Sequence, residues 1–130
     1  MPQIRLEYTD NLDPRSHPGT LLDGIHRALN TIAGVNLDNC KSRVNVLDWF
    51  HIADGAPDHA FVHLEVRLLE GRPDGVKRNL GDALLELLKE AFDVGRTRLR
   101  VQLTVELGDI RRGEYFKYPA GTFTETLATE

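Results

Sequence analysis

The chain has 130 residues, a formal net charge of −4, a pI of about 5.7 and a single cysteine. This length fits one domain, and scattered lysines and arginines in an acidic chain argue against a nucleic-acid partner. Because there is no long apolar run, no cationic leader and no possible disulfide framework, we expect a cytoplasmic protein that does not enter a membrane.

The first predicted strand begins beside a proline, in MPQIRLEYTD. Polar and apolar residues alternate from Gln3 to Tyr8, which is typical of a half-buried strand. Proline is tolerated at the first residue of a strand, where its missing N–H costs little. The alternative is chemical: removal of Met1 would give Pro2 a free secondary amine. The pattern alone leaves both interpretations open.

The next elements are a helix and two strands. Apolar residues recur at helical spacing from Leu21 to Ile32 and stop at Gly34. A second strand is predicted over residues 41–52, and ADGAPD reads as a turn. Alternation in HAFVHLEVRL then predicts a third strand with Ala60, Val62, Leu64, Val66 and Leu68 on one face. Two strands joined by such a turn predict a hairpin.

A second helix and a last strand complete the predicted α/β fold. An apolar stripe from Val76 to Phe92 indicates an amphipathic helix, and RLRVQLTVEL alternates strictly. The order gives two β-α-β halves that form one four-stranded sheet. We assign residues 1–34 and 41–52 to the first half, 59–107 to the second, and 108–130 to a C-terminal extension of one 1–130 domain.

One face of this sheet should lie open. Right-handed crossovers place both helices on the same face. The opposite face is predicted to carry His59, Phe61, His63, Glu65 and Arg67 of strand three, with Arg43, Asn45, Leu47, Trp49 and His51 of strand two. A mixed, aromatic-bearing face of this kind often packs against another subunit. The C-terminal extension is rich in aromatic residues (Tyr115, Phe116, Tyr118 and Phe123). We expect it to pack partly across a neighbour.

These features resemble a known family. A proline after the initiator methionine, two β-α-β halves and the segment KSRVNVLDWFHIADGAPDHAFVHLEVRLLEGR are similar to the 5-carboxymethyl-2-hydroxymuconate isomerases of the tautomerase superfamily. The resemblance runs from Met1 to about Leu107 and is weak beyond it. It implies a homotrimer without cofactors, in which the amino-terminal proline moves a proton. The implied substrate is a di- or tricarboxylate, a muconate-type dienol ketonised in bacterial breakdown of homoprotocatechuate.

The chemistry of an amino-terminal proline suits this reaction. Moving a double bond next to a carbonyl needs a base near neutrality that takes a proton from one atom and returns it to another. The reference α-amino pKa is about 7.7 to 8.0, and burial or nearby cations lower it. A secondary amine can also form an iminium with a keto acid, so Pro2 alone does not separate acid–base from covalent catalysis.

Three cationic residues are candidates for binding substrate carboxylates. Arg72 lies in GRPDG, where the resemblance implies a substrate-binding arginine and composition alone favours a solvated loop residue. Lys41 and Arg43 flank Ser42 and, with a period of two, should point to one face. The family favours arginine at both positions. Lys41 is therefore a departure, because an ammonium lacks the bidentate fork of a guanidinium.

The remaining candidates carry less weight. Trp49 and Phe50 would usually be packing residues, but either could form an apolar wall beside the amine. His51, His59 and His63 favour hydrogen-bonded structural histidines over a metal site, so no metal is expected. Two alternative functions stay open. One is a tautomerase relative acting on another unsaturated keto acid, with Pro2 acting as a base or covalently, and the other is a non-catalytic oligomeric module that binds carboxylates.

Overall fold

Four strands and two α-helices follow one another along residues 1–119, the part of the chain that the computed structural model describes. The strands are β1 (Gln3–Thr9), β2 (Lys41–Leu47), β3 (His59–Leu69) and β4 (Arg100–Ile110). The helices are α1 (Pro18–Ala33) and α2 (Asp74–Ala91), and short 3-10 turns lie at Leu37–Asn39 and Arg112–Glu114. The predicted α/β class and the two β-α-β halves are confirmed.

The four strands form one mixed sheet in the order β2-β1-β3-β4. β1 is parallel to β2 and antiparallel to β3, and β3 is parallel to β4. The predicted hairpin between the second and third strands is wrong, because β1 lies between them. Residues 48–58 connect β2 to β3, and a loop of this length crosses β1 instead of making the two- to five-residue turn of a tight hairpin.

Both helices cover one face of the sheet, as predicted. The inward residues of β1 and β3 are buried against the helices, together with Leu21, Ile25, Leu29, Leu80, Leu84 and Leu88. α1 begins where the His17 side chain accepts a hydrogen bond from the Gly19 N–H, and Pro18 occupies the first turn, where its missing N–H is harmless. It ends at Gly34, whose φ of 69° is the left-handed conformation that glycine adopts readily.

The other face of the sheet is covered by no element of residues 1–119, and its polar side chains pair across the strands. Arg5 Nη2 lies 3.1 Å from Glu65 Oε1, and His63 Nδ1 lies 2.6 Å from Thr104 Oγ1. His59 is an exception to the prediction. It is buried at the start of β3, where its Nε2 lies 3.1 Å from Asp54 Oδ1 of the preceding loop.

Two strand boundaries differ from the sequence prediction. β2 ends at Leu47 and not near residue 52, so Trp49 and His51 lie in the connection to β3 and not on the strand. β4 continues to Ile110, because the ladder with β3 extends to the pair Leu69–Ile110. Among residues 1–119, neither helix has the length and apolar character required to cross a membrane.

Candidate active site

The directions of the four strands bring four chain segments to one end of the sheet. The register pairs Gln3 with Lys41 of β2 on one side and with Arg67 of β3 on the other. Since β3 and β4 are parallel, the start of β1, the start of β2 and the ends of β3 and β4 meet there. We call this the Pro2 end of the sheet.

The amino terminus is buried at the Pro2 end. Met1 is 8% exposed and packs with Leu69, Ile110 and Tyr115. Its amine donates a hydrogen bond to the Asn39 carbonyl oxygen at 3.2 Å and lies 3.5 Å from the Tyr115 hydroxyl. The nitrogen of Pro2 is acylated by Met1, so Pro2 has a basic amine only after Met1 is removed.

The segment that follows β4 turns back to the same place. The Tyr115 hydroxyl accepts a hydrogen bond from Gln3 Nε2 at 2.9 Å, and Lys117 Nζ donates to Asn39 Oδ1 at 3.1 Å. Part of the C-terminal extension therefore packs on its own chain. Its remaining aromatic residues differ: Phe116 and Tyr118 are exposed, and Phe123 lies outside the described residues.

Lys41 and Arg43 share the open face of the sheet at the start of β2, in agreement with the predicted period of two. Lys41 Nζ donates to the Asn39 carbonyl oxygen at 3.0 Å. Arg43 Nη1 donates to Gln3 Oε1 at 2.6 Å. Both side chains are exposed, and both of these bonds go to neutral oxygens, so neither bond is an ion pair.

Arg72 lies just beyond β3 and is buried, with 6% exposure, where composition favours a solvated loop residue. Its Nε donates to the carbonyl oxygen of Ala33 at 3.2 Å, and its Nη1 donates to that of Leu69 at 3.1 Å. The first bond satisfies a carbonyl in the last turn of α1, which has no partner within the helix. The guanidinium thus ties the end of α1 to the end of β3, next to the residue that packs on Met1.

Four polar residues at this end were not among the sequence candidates: Gln3, Asn39, Tyr115 and Lys117. Asn39 is fully buried, and its Nδ2 has no hydrogen-bond partner among residues 1–119. Gln3 could have been found, since it is the first residue of the strand that begins directly after Pro2 and faces outward. No motif marks the other three, whose approach depends on two loops outside the regular elements.

Trp49 and Phe50 are not near Pro2 within one chain. They follow the far end of β2, whose last residue pairs with Thr9, while Pro2 precedes Gln3 at the other end of β1. At about 3.3 Å per strand residue, the two ends are roughly 20 Å apart. Trp49 is 82% exposed. A wall for the Pro2 site would therefore need the Trp49 or Phe50 of another copy of the chain.

The far end of the sheet holds a separate polar cluster. The Ala56 N–H and the His59 ring hold the pKa of Asp54 below its usual range, and the Arg100 guanidinium does the same for Asp58. Arg100 binds both oxygens of Asp58, at 2.8 and 2.7 Å, which fixes the loop before β3 to the start of β4. Within residues 1–119, no three His, Cys, Asp or Glu side chains are grouped to hold a metal ion.

A family model and a curated relative both match this chain, and both carry the same family description. The sequence model of the family 5-carboxymethyl-2-hydroxymuconate isomerase matches residues 2–120. The 5-carboxymethyl-2-hydroxymuconate Delta-isomerase of Escherichia coli is 26% identical over 117 residues, which cover 90% of this chain and 93% of that protein. The match includes the part of the chain beyond Leu107, where the motifs of the sequence alone are weak.

Solved structures agree with this result. A 5-carboxymethyl-2-hydroxymuconate isomerase from Deinococcus radiodurans R1 is 30% identical, with a TM-score of 0.79 and coverage of 89% of this chain and 87% of that one. A fused 4-OT, described as a symmetric trimer, has a TM-score of 0.70 at 19% identity, with coverage of 90% and 92%. At that identity the second likeness shows the fold alone.

Proposed function

The chain belongs to the 5-carboxymethyl-2-hydroxymuconate isomerase family, and we propose that it ketonises a 5-carboxymethyl-2-hydroxymuconate-type dienol through the amine of Pro2. The observation that carries this proposal is the meeting of Pro2 with Lys41, Arg43 and Arg72 at one end of the sheet. A base for proton transfer and cations for carboxylates are what such a substrate requires.

The reaction needs one group that both accepts and returns a proton. With Met1 removed, the neutral amine of Pro2 takes the proton of the 2-hydroxyl group, and the enol electrons form the carbonyl. The protonated amine then gives a proton to a carbon of the diene, so that no atom is gained or lost and nothing is oxidised. The cations around Pro2 disfavour its protonated form, which keeps part of the amine neutral near pH 7.

The cations have different tasks in this proposal. Lys41 and Arg43 are exposed and bind substrate carboxylates directly, with bonds strengthened by charge on both partners. Arg72 donates to two backbone carbonyls, and a guanidinium carries its positive charge at any physiological pH. It therefore attracts a carboxylate at close range while fixing the walls of the site.

We also propose that the protein is a homo-oligomer, with three copies as the favoured number. The sheet face opposite the helices is the surface that a second copy would cover. Trp49, in the loop that follows the edge strand β2, is an exposed large apolar residue. The trimeric description of the fused 4-OT, which has the same fold, supports three copies. The exposed Phe116 and Tyr118 of the C-terminal extension would contact a neighbour.

The test compares processed protein with protein that retains Met1, both identified by intact mass. Ketonisation of a 2-hydroxymuconate-type dienol is followed by its loss of ultraviolet absorbance. Loss of the base should lower the rate by a factor of roughly 10² to 10⁴ in the Met1-retaining form. Pro2→Ala keeps a primary amine and should lose only part of the rate. Equal activity of the processed and Met1-retaining forms would exclude the amine as the base.

A further inference from the structure

We propose that the space filled by Met1 receives the reacting part of the substrate once Met1 is removed, and that the Tyr115 hydroxyl donates a hydrogen bond to the 2-oxygen of the substrate there. This inference rests on the proposed function, because it starts from the processed chain and from a 2-hydroxymuconate-type dienol. No sequence motif assigned Tyr115, which follows β4, to the site.

Met1 fills a largely apolar space at the Pro2 end of the sheet. The residue is 8% exposed and packs against Leu69, Ile110 and Tyr115. Leu69 and Ile110 are paired residues at the ends of β3 and β4, so the sheet holds them side by side. Excision of Met1 leaves these three side chains as walls around the new amine of Pro2. Apolar walls with a few placed polar groups are typical of small-molecule sites.

A chain of hydrogen bonds orients the Tyr115 hydroxyl. Arg43 Nη1 donates to Gln3 Oε1 at 2.6 Å, and because a guanidinium has no acceptor, this bond fixes which end of the Gln3 amide faces Arg43. The other end, Gln3 Nε2, donates to the Tyr115 hydroxyl oxygen at 2.9 Å. An amide nitrogen does not accept hydrogen bonds, so the proton of the Tyr115 hydroxyl points elsewhere.

The hydroxyl proton of Tyr115 is available to a ligand. Among residues 1–119 the two polar neighbours of the hydroxyl are Gln3 Nε2 and, at 3.5 Å, the amine of Met1. Both are donors, so neither takes the proton. A hydroxyl that accepts a hydrogen bond is also the stronger donor, because bonds in a chain polarise one another. Removal of Met1 opens one side of this hydroxyl to the substrate.

The contact with Met1 limits the distance between this hydroxyl and the proposed base. Three covalent bonds join Met1 N to the nitrogen of Pro2, so these two atoms are at most roughly 4 Å apart. Since Met1 N lies 3.5 Å from the Tyr115 hydroxyl oxygen, the Pro2 nitrogen lies within roughly 8 Å of it. A substrate fragment in the vacated space can therefore contact both the amine and the hydroxyl.

A donor at this position stabilises the charge that develops during ketonisation. When the Pro2 amine takes the proton of the 2-hydroxyl group, negative charge is shared between the 2-oxygen and the diene until a carbon is protonated. The Tyr115 hydroxyl donates to the 2-oxygen and keeps its own proton, so the proton balance of the proposed reaction is unchanged. Loss of one donor of this kind lowers kcat by about 10² to 10³ in well-studied enzymes.

The first test is Tyr115→Phe in processed protein. We expect kcat for the dienol to fall at least tenfold, with a change of less than threefold in KM, because the hydrogen bond strengthens as the charge develops. Tyr118→Phe is the matched control, since Tyr118 lies in the same segment and is 88% exposed. An unchanged kcat in folded Tyr115→Phe protein would overturn the proposal.

A pair of ligands tests the contact without catalysis. The dicarboxylates 2-oxoadipate and adipate differ only in the oxygen on carbon 2. In calorimetry on processed protein, Tyr115→Phe should weaken binding of 2-oxoadipate at least fivefold and binding of adipate less than twofold. Equal losses for the two ligands would mean that Tyr115 only shapes the site, and the assigned hydrogen bond would be wrong.

Ile110→Phe tests the vacated space. In protein that retains Met1, the larger side chain overpacks the cluster and should lower the melting temperature. In processed protein the side chain enters the space that Met1 has left, so we expect a smaller change in melting temperature and at least a tenfold loss of adipate binding. Equal changes in melting temperature in the two forms, or unaltered adipate binding, would show that the substrate does not use this space.

Binding and catalysis separate this inference from the proposed function. If Tyr115→Phe removes the preference for 2-oxoadipate in a protein that ketonises no dienol, the tyrosine site stands and the proposed reaction fails. If Tyr115→Phe ketonises the dienol as fast as the parent protein and keeps that preference, the reaction stands and the tyrosine site fails.

Discussion

Replacement of Arg72 by methionine tests whether this buried arginine holds the site together. Methionine keeps most of the length and apolar contact of the side chain but removes its donors. The carbonyl oxygens of Ala33 and Leu69 then lose the bonds of 3.2 and 3.1 Å that Arg72 supplies. An unsatisfied buried acceptor costs about 1 to 3 kcal/mol. Since these carbonyls can relax in part, we expect a total loss of about 2 to 4 kcal/mol in the free energy of unfolding.

The assay is thermal and urea denaturation of the variant and of a matched control. For a domain of this size, such a loss lowers the melting temperature by about 10 °C. Arg78→Met is the control, because Arg78 is exposed on α2, and surface changes of this kind usually stay within about 0.5 kcal/mol. The affinity of the folded variant for the dicarboxylate cis,cis-muconate separately measures what the charge of Arg72 contributes to binding. We expect this affinity to fall as well.

A small stability effect would refute this interpretation of Arg72. If Arg72→Met melted within about 2 °C of the parent protein, with the change in the control equally small, the two carbonyl bonds would contribute little. The guanidinium would then act mainly as the substrate-binding group that the sequence resemblance implies, and not as an anchor for the ends of α1 and β3.

Three further predictions concern single side chains. Burial lowers the pKa of His26 from its usual 6.5, so below pH 6.5 the unfolded chain binds more protons than the folded chain. The contribution of His26 to stability is complete above this pH and is lost as the pH falls through the folded pKa. His26→Asn should therefore flatten the decline of the urea midpoint with falling pH, and an unchanged slope would count against this role. Tyr115→Phe removes the hydroxyl that lies 3.5 Å from the terminal amine. If that hydroxyl also stabilises the charged amine of processed protein, the acid limb of the kcat/KM profile should move to lower pH with little change in melting temperature; an unmoved limb would exclude this contact. Trp49→Ser should weaken self-association measured by light scattering, since Trp49 is 82% exposed in one chain; an unaltered oligomer would place the interface elsewhere.

The regular elements were predictable because burial follows the period of the pattern. Ile4, Leu6 and Tyr8 alternate with polar residues and are 0 to 5% exposed, and the helical leucines at Leu80, Leu84 and Leu88 are fully buried. Each of these positions is decided locally, by the side chain and the direction it takes on a strand or helix. Element boundaries were less accurate, because the ends of β2 and β4 depend on what their neighbours offer for pairing.

The burial of Arg72 could not be predicted from the residues around it. GRPDG contains three residue types that favour exposed turns, which argues for a solvated arginine. The buried side chain is held by two backbone carbonyls. Every residue type has the same backbone carbonyl, so the sequence does not mark which ones will bind an arginine. Asn39 and Lys117 were missed for a related reason. Lys117 contacts Asn39, and Asn39 contacts the amino terminus, and sequence spacing carries no sign of contacts across 78 or 38 positions.

The wrong hairpin left the location of the site intact, and the reason lies in strand direction. β1 and β2 run one way, β3 and β4 run the other way, and these directions follow from two β-α-β halves in either strand order. Direction alone sends Pro2, Lys41 and Arg72 to the same end of the sheet. Strand order decides something else. With β1 in the centre, Pro2 has Lys41 on one side and the end of β3 on the other, so cations can approach the amine from two sides.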